Sequence, residues 1–370
     1  MKPINVVNPS MPPFEEYIQT IKLLWQTKHL SNDGALHAEL ENKLTNYLGA
    51  KNTILFNNGH AALSCAIKAL DLSGEVITTP YTFASTTHAL VENGLTPVFC
   101  DIKESDFTID PKKIENLITS KTSAILAVHV YGNICDVNEI DKIAKKHNLK
   151  AIYDAAHAFG VVKNDEYAAN FGDISMFSFH ATKVFHTAEG GCLTFNCNSL
   201  TEPLQRLKNF GLHKNSEEIT YGTNAKMNEL SAAMGICNLH YVDDYIQKRK
   251  EVYEAYHKNI QPVNGLRIFT APEKPHTHNY SYMPILINED VTGISRDHLH
   301  DVLFQNNIMA RKYFHPLTSD FKVYKSKYPS NTQIARKIAN SVLCLPMHTN
   351  LHHDDIVRIS KIINSTLRRR

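Results

Sequence analysis

Short apolar runs rich in β-branched residues alternate with longer stretches of helical period over the first part of the chain. The predicted strands are Thr53–Phe56, Val76–Thr79, Pro97–Asp101, Ala124–Val130 and Ala151–Asp154. The predicted helices between them are Ala61–Leu70, Ser85–Asn93, Asp110–Leu117 and Val137–His147. This alternation predicts an α/β fold in which helices cover both faces of a mostly parallel sheet.

The pattern changes near Asn224. One long helix is predicted from Glu229 to about His257. The shorter elements predicted after it are the strand Tyr280–Ile287 and the helices Arg296–Gln305 and His353–Leu367. We therefore predict a large domain over residues 1–250, with an N-terminal segment at its rim, and a smaller α+β domain over residues 251–370.

Composition narrows the class of protein. The 370 residues are 43% hydrophobic and carry a net charge of +2, so no basic patch argues for nucleic acid as a partner. The 20 histidines are scattered without zinc-ligand spacing, and the seven cysteines lack the spacing of a disulfide framework. No signal-peptide pattern or bilayer-length apolar stretch is present. We expect a cytoplasmic protein with no metal and no membrane partner.

The first motif is ILFNNGHAAL, residues 54–63, which reads as a strand, a turn and the start of a helix. Asn58 suits the N-cap position, and Gly59 allows the backbone to approach an anion. The amides of residues 59–61 would then form a phosphate cradle. The alternative is an ordinary strand-turn-helix, because many helices begin in this way.

The second motif, Tyr81-Thr82-Phe83, follows a predicted parallel strand. Ligands usually bind at the carboxyl ends of such strands, where Phe83 could stack on a flat ring. A core aromatic is the alternative reading.

The third motif, AIYDAAHAFG over residues 151–160, places a carboxylate at the end of an apolar strand. A buried Asp154 needs a partner, and a protonated ring nitrogen is one candidate. His157 could hydrogen-bond the same ligand. A helix N-cap or a metal ligand remains open for Asp154.

The fourth motif runs from Asp173 to Lys183 and continues into AEGGCL, residues 188–193. A strand enters a polar turn that carries the lysine, and a second strand follows. An enclosed lysine loses hydration, which lowers its pKa and makes it a nucleophile. Hydroxyl and small neighbours such as Ser178 and Thr182 could meet a phosphate. The alternative is a surface lysine on a hairpin.

The fifth motif, Tyr221–Leu230, is a loop that leads into the long helix. It is either a simple connection or a segment presented to a second subunit.

In this order, the five motifs resemble the DegT/DnrJ/EryC1/StrS family of sugar aminotransferases that depend on pyridoxal 5'-phosphate (PLP). The resemblance extends over nearly the whole chain, to RKYFHP at residues 311–316 and LCLPMH at residues 343–348. It implies the type I PLP-dependent aminotransferase fold, PLP as the cofactor and a homodimer with shared active sites.

The resemblance also implies roles for the residues that would hold the cofactor ring. Lys183 matches the lysine that forms a Schiff base with PLP, and Asp154 matches the carboxylate that pairs with the pyridine nitrogen. Phe83 matches the aromatic residue that stacks on the ring. His157 stands beside the ring oxygen, where many members have glutamine.

Other residues match the family's phosphate site. Ser178 matches a phosphate-binding hydroxyl, and Gly59 with His60 matches a Gly-Thr pair whose amides hold the phosphate. Because His60 replaces threonine, only its amide is expected to contribute. Asn224 and Lys226 match an Asn-x-Arg segment that reaches the partner subunit's phosphate, with lysine in place of arginine.

The implied reaction is transfer of an amino group from L-glutamate to a nucleotide-linked keto-6-deoxy sugar. The motifs are most similar to those of enzymes that make dTDP-4-amino-4,6-dideoxy-D-glucose, for O-antigen or another surface polysaccharide. Arg311, Tyr313 and His315 are expected to line the substrate site, where either Arg311 or Lys312 would meet the diphosphate. The alternatives are a 3-amino-sugar transaminase, a PLP-dependent sugar dehydratase, whose branch has histidine in place of Lys183, and a regulator with a PLP-enzyme fold.

Overall fold

Helices and strands account for most of the chain in the computed structural model, which describes residues 2–212, 220–272 and 276–368. The helices are α1 (Phe14–Thr27), α2 (Ala35–Tyr47), α3 (Gly59–Ala69), α4 (Ala84–Glu92), α5 (Pro111–Ile114), α6 (Val137–Lys146), α7 (Thr201–Leu207), α8 (Glu229–Asn259), α9 (Glu289–Thr292), α10 (Arg296–Gln305), α11 (Gln333–Ser341) and α12 (His353–Leu367). The strands are β1 (Asn52–Phe56), β2 (Glu75–Thr78), β3 (Thr96–Phe99), β4 (Thr122–Val128), β5 (Lys150–Asp154), β6 (Val162–Lys163), β7 (Glu166–Tyr167), β8 (Ile174–Ser178), β9 (Gly191–Phe195), β10 (Leu266–Ile268), β11 (Met283–Ile287) and β12 (Val342–Leu345).

The main sheet has seven strands in the order β1-β9-β8-β5-β4-β2-β3. Strand β9 runs antiparallel to both of its neighbours, and the other six strands share one direction. The carboxyl ends of β1, β2, β4, β5 and β8 therefore meet at one edge. At that edge Asp154 of β5 lies between Val128 of β4 and Met176 of β8. The predicted α/β fold with a mostly parallel sheet is confirmed.

Both faces of this sheet are buried. Ile54 and Phe56 of β1 pack into one core cluster, whereas Leu55 between them packs into another. Successive side chains of a strand point to opposite faces, so a strand that is apolar at every position requires cover on both sides. Helix α3 packs over one face against β8 and β9, and α2 and α8 pack together over the other.

A second sheet, antiparallel in the order β10-β11-β12, follows in the C-terminal part of the chain. Its core includes Val252 and Tyr256 from the second half of α8, together with residues of α10 and α12. The N-terminal segment joins this region, because Ile4 pairs with Ile308. The predicted division at residues 250/251 falls inside α8 and stays a prediction. Within the described residues, no helix combines the length and apolar content needed to cross a bilayer.

The predicted strand bounds differ from the observed ones by one to three residues, and two of these differences have a clear cause in the backbone. Strand β4 ends at Val128, because the chain turns through a 3₁₀ helix at Val130–Gly132 with Tyr131 in the left-handed region (φ 59°). Strand β11 begins at Met283, since Tyr280 also has positive φ (51°) and breaks the extended backbone.

The predicted helix Asp110–Leu117 is shorter than expected. It is the single turn Pro111–Ile114, continued as a 3₁₀ helix over Glu115–Leu117. Asp110 is its cap, since the side chain accepts a hydrogen bond from the Lys112 amide.

Candidate active site

A cavity of about 680 Å³ opens at the carboxyl edge of the main sheet. The β1–α3 turn, the β2–α4 turn, the end of β5 and the β8–β9 connection all contribute to its wall. The sequence-predicted residues that it brings together are Gly59, His60, Phe83, Asp154, His157, Ser178, Lys183 and Tyr313. These residues come from the first four motifs and from the RKYFHP segment, and the topology of the main sheet brings the four motifs together.

Lys183 lies in the β8–β9 connection, where the Lys183 amide donates to the His180 carbonyl and Phe179 donates to Gly190. These bonds fold the connection back on itself and leave the lysine half-buried. Burial lowers the pKa of Lys183 to about 8, although the Asp154 carboxylate opposes the shift. An amine with this pKa is partly neutral near neutral pH and can act as a nucleophile.

Asp154, at the end of β5, is 5% exposed and accepts two hydrogen bonds. Its Oδ2 accepts from the Thr86 hydroxyl at 2.7 Å, and its Oδ1 accepts from the Ala156 amide at 3.1 Å. Burial raises the pKa of this carboxyl, and the two hydrogen bonds and Lys183 oppose that shift. Among the residues that the structure describes, no three potential metal ligands are grouped together. The Asp154 carboxylate is thus held by two hydrogen-bond donors of the protein and also lines the cavity.

His157 is a buried, neutral hydrogen-bond donor. The Tyr131 amide donates to its Nδ1 at 3.2 Å, so the single ring proton is on Nε2. Burial, with a contribution from Lys183, places the pKa of His157 well below its usual value. Nε2 lies 3.3 Å from the Tyr282 hydroxyl, and the ring stacks on Phe314 at 5.8 Å between centroids. The cavity is thus lined by an N–H group of fixed orientation.

The start of α3 lies against β8. Asn58 caps the helix through a 2.8 Å bond from the Ala61 amide, as the sequence predicted. A Cβ atom on Gly59 would come within 3.0 Å of the Ser178 Cβ. The absence of a side chain at Gly59 therefore lets the helix start pack closely against Ser178, whose hydroxyl lines the same cavity.

Residues 14–364 match the sequence profile of a family described as "DegT/DnrJ/EryC1/StrS aminotransferase family". The chain belongs to the DegT/DnrJ/EryC1/StrS aminotransferase family. It is therefore an enzyme of the PLP-dependent sugar aminotransferase class, as the motifs implied.

Similar proteins support this assignment over the full length of the chain. A "dTDP-4-amino-4,6-dideoxy-D-glucose transaminase" from Shigella dysenteriae is 45% identical over 368 residues, with 99% of each chain covered. A protein of the same name from Escherichia coli is 42% identical over 369 residues, with 98% of each covered. The crystal structure of DesI "in the presence of its TDP-sugar product" matches with a TM-score of 0.96 at 31% identity, covering 100% of this chain and 94% of DesI.

Two predicted residues lie at the mouth of the cavity of this DegT-family enzyme, His60 in the first turn of α3 and Phe83 at the start of α4. Phe83 precedes α4 and is 61% exposed. The His60 ring spans to α4, with Nδ1 2.9 Å from the Ser85 hydroxyl and Nε2 2.8 Å from a Glu92 carboxylate oxygen. The sequence assigned only the amide of His60, whereas the structure gives its side chain two partners.

Asn224 and Lys226 do not line this cavity within the chain. They lie in the loop that precedes α8, where the Lys226 ammonium donates to the side chains of Asn209 and Asn224 at 2.7 and 3.0 Å. It also lies 4.9 Å from the centre of the Phe210 ring. The side chains of the two residues therefore hold one another in place, and the Asn224 carbonyl accepts a 3.3 Å bond from the side chain of Asn57, which lines the Lys183 cavity.

Arg311 and His315 line a second cavity of about 680 Å³. Tyr313 and Thr182 contribute to both cavities, so the second adjoins the first. The neighbouring Lys312 pairs with Asp297 at 2.6 Å. Burial lowers the pKa of His315.

Among the contributors to the site that the sequence reasoning missed are Thr86, Tyr282 and Phe314. Thr86 lies three residues after Phe83, about one helical turn, and that spacing was the available signal. Tyr282 stands within the NYSYMP segment, and Phe314 within RKYFHP, but neither had an assigned role. Their contacts with His157 depend on how the second sheet lies against the first.

Proposed function

We propose that this enzyme uses PLP to move the amino group of L-glutamate onto C4 of dTDP-4-keto-6-deoxy-D-glucose, giving dTDP-4-amino-4,6-dideoxy-D-glucose. The observation that carries the proposal is that Lys183, with a pKa of about 8, shares one cavity with the buried Asp154 carboxylate. The choice of sugar is supported by the names of the Shigella and Escherichia relatives, which are 45% and 42% identical to this chain.

The residues present fit PLP. The close packing of Gly59 against Ser178 leaves the first amides of α3 and the Ser178 hydroxyl beside one another for a phosphate. The exposed Phe83 ring offers a flat apolar surface for a pyridine ring. When bound there, PLP supplies an aldehyde that carries the amino group and a ring that takes up electrons from the substrate carbon.

Lys183 is assigned two tasks. Its amine would hold the cofactor covalently, and after release by glutamate it would carry a proton from the α-carbon of glutamate to the cofactor carbon that receives the amino group. Both tasks require a base that is partly neutral near pH 7.5. The lowered pKa of Lys183 meets that requirement, since an unperturbed lysine would be almost wholly protonated.

Asp154 is assigned the ring nitrogen. Both of its oxygens accept hydrogen bonds, from the Thr86 hydroxyl and the Ala156 amide, and this arrangement favours the carboxylate over its protonated form. A negative carboxylate there would hold a proton on a nearby ring nitrogen. His157, through Nε2–H, would donate to the ring oxygen.

The second cavity is assigned to the nucleotide part of the substrate. It adjoins the Lys183 cavity through Tyr313 and Thr182, so a sugar at Lys183 could extend a diphosphate into it. Arg311 is the cation proposed to meet the diphosphate, with His315 beside it. Exclusion of water from the first cavity would protect the reacting carbon.

A homodimer with shared sites is also part of the proposal. Apolar side chains are exposed on α1 and before α8, among them Trp25 at 72% and Tyr221 at 88%. Such exposure supports a covered surface in the assembled protein. Asn224 and Lys226 lie outside their own chain's cavity, which supports their proposed contact with the partner's phosphate.

A cytoplasmic location completes the proposal. All seven cysteines are free, and six of them are buried. Free thiols in this number support a reducing compartment.

Borohydride reduction followed by peptide mapping tests the cofactor assignment. We expect reduced PLP on the peptide that contains Lys183 and on no other. A label on a different lysine, or no label, would overturn the assignment.

Incubation with dTDP-4-keto-6-deoxy-D-glucose and L-glutamate tests the reaction. We expect 2-oxoglutarate in equal amount to the aminosugar, with the new C–N bond at C4 by NMR. If the enzyme accepts a 3-keto sugar but not the 4-keto sugar, and the new bond is at C3, it is a 3-amino-sugar transaminase. A deoxygenated sugar without 2-oxoglutarate would identify a dehydratase, and a colourless protein that binds no PLP would favour a regulator.

A further inference from the structure

The side chains of Glu92, His60 and Ser85 form a hydrogen-bonded chain at the mouth of the Lys183 cavity. His60 stands in the first turn of α3, and the other two are on α4. The contacts are 2.8 Å from Glu92 to Nε2 and 2.9 Å from Nδ1 to the Ser85 hydroxyl. All three residues line the cavity that also contains Gly59 and Ser178.

The chemistry of the three groups fixes most of the proton positions. A carboxylate accepts hydrogen bonds and donates none, so the Nε2 atom of His60 carries a proton in either charge state. In neutral His60, Nδ1 then accepts a hydrogen bond, and the Ser85 hydroxyl must use its only proton to donate that bond. In protonated His60, Nδ1 donates to Ser85 instead, and the hydroxyl proton is released to point into the cavity.

An anion in the cavity would distinguish these two states. It can accept a hydrogen bond from Ser85 only when His60 is protonated, and it is also attracted by the imidazolium charge. Binding of a phosphate and protonation of His60 would therefore favour each other, since linkage between two ligands is reciprocal.

Other charged groups around His60 belong to three elements. On α4, His88 faces the same cavity but is hydrogen-bonded to Tyr324, and Glu92 is already part of the chain. From the β8–β9 connection come Lys183, His180 and Glu189, of which the last two lie 3.5 Å apart. Asp154 lies at the end of β5. The controls below are chosen to separate these groups from His60.

We propose that His60 is a proton-linked positioning residue for the cofactor phosphate: Glu92 orients its ring, and its second proton turns the Ser85 hydroxyl towards the phosphate. This inference rests on the proposed function, because it takes PLP as the ligand. It assigns to the side chain of His60 a role beyond its backbone amide.

The test compares PLP dissociation constants of wild type and His60→Gln from pH 6 to 8.5, measured by titration of apoprotein. The readout is the ratio of the two constants, because ionisation of the phosphate and of Lys183 affects both proteins alike. We expect His60→Gln to bind about tenfold more weakly at pH 6 and about equally at pH 8.5. Ser85→Ala keeps the imidazolium charge but removes the hydroxyl, so it should show a smaller pH dependence than wild type.

Two controls make the result specific. Pyridoxal, which lacks the phosphate, should give a ratio that is independent of pH. His88→Gln, which alters a histidine of the same cavity that is bonded to Tyr324, should keep the wild-type pH dependence.

A ratio that is constant over this pH range would overturn the inference, and so would an equal effect with pyridoxal or a full pH dependence in Ser85→Ala. Each of these outcomes leaves the proposed function intact. Failure of wild type to bind PLP at any pH would overturn the proposed function and this inference together.

Discussion

Asp154 and His157 form what we call the floor of the Lys183 cavity. The polar groups of this floor are held differently from Arg311 in the adjoining second cavity. At the floor, Asp154 and His157 each have bonds from the protein that fix their orientation before any ligand is present. In the second cavity, the Arg311 guanidinium has no hydrogen bond or ion pair among the described residues. Under the proposed function, the groups assigned to the reacting atoms are preorganised, whereas the guanidinium assigned to the nucleotide is left available to it.

Lys183→Ala removes the amine at the floor and should have the largest effect. We expect kcat to fall by at least about 10⁴-fold, because both the covalent attachment and the proton carrier are lost. Steady-state release of 2-oxoglutarate measures it, and circular dichroism checks the fold. Lys145→Ala, at an exposed lysine that pairs with Asp141, is the matched control and should keep wild-type activity. Activity above a tenth of wild type in Lys183→Ala would contradict the assignment.

Asp154→Asn keeps the size and the acceptor oxygen of the side chain but removes its charge. We expect the glutamate half-reaction to slow by about 10²- to 10³-fold while PLP stays bound, because the ring nitrogen loses its proton. Single-turnover absorbance measures both quantities. Asp173→Asn is the control: its carboxylate accepts from the Ala151 amide at 2.9 Å, so we expect lower stability and an unchanged rate. A normal rate in Asp154→Asn would remove this residue from the mechanism.

The pH dependence of PLP capture follows from the lowered pKa of Lys183. Only the neutral amine attacks an aldehyde, and in the folded protein the amine loses its proton near pH 8 instead of 10.5. The capture rate should rise about 50-fold from pH 6 to 8 and level off at about twice the pH 8 value near pH 9 to 9.5. Stopped-flow absorbance of apoprotein with excess PLP measures it. A rate that continues to climb to pH 10 would show that Lys183 behaves as an ordinary lysine.

Thr86→Val tests whether the floor depends on its inner hydrogen bonds. Loss of the 2.7 Å bond leaves the Asp154 anion less stabilised, so its pKa should rise further and kcat should fall about tenfold. Thr86→Ser should restore the rate. Thr87→Val is a matched control, since Thr87 is also buried but donates to Thr318 at 2.9 Å. If both valine variants lower kcat equally, the effect is one of packing.

Arg311→Ala tests the second cavity and should have the smallest effect. We expect the KM for the nucleotide sugar to rise about five- to tenfold, with the KM for glutamate unchanged. Lys312→Ala is the control, because that lysine is paired with Asp297. A rise in the glutamate KM instead would place Arg311 at the amino donor.

The sheet and the residues on it could be predicted from sequence because their signals are local. Asp154 ends an apolar run, and a buried run with polar residues at its end predicts a strand whose last side chain faces a ligand edge. The Asn58 cap and the turn that carries Lys183 depend on a few neighbouring residues.

The supporting contacts could not be predicted, because they join distant positions. Thr86 lies 68 residues from Asp154, and Tyr282 lies 125 residues from His157. Each bond requires that two independently predicted elements also have a known orientation. The extension of β4 to Val130 was wrong for a similar reason, since Tyr131 turns to donate its amide to His157.

The direction of β9 has a practical consequence for measuring the assembly. Because this strand runs opposite to the others, its last residue, Phe195, pairs with the first residue of β1, at the edge of the sheet away from Lys183. Cys197 follows at that edge, and it is the exposed member of the seven cysteines. A maleimide spin label or fluorophore can therefore attach to the native sequence at one position, remote from the chemistry. In a two-fold assembly it would report a single distance between subunits.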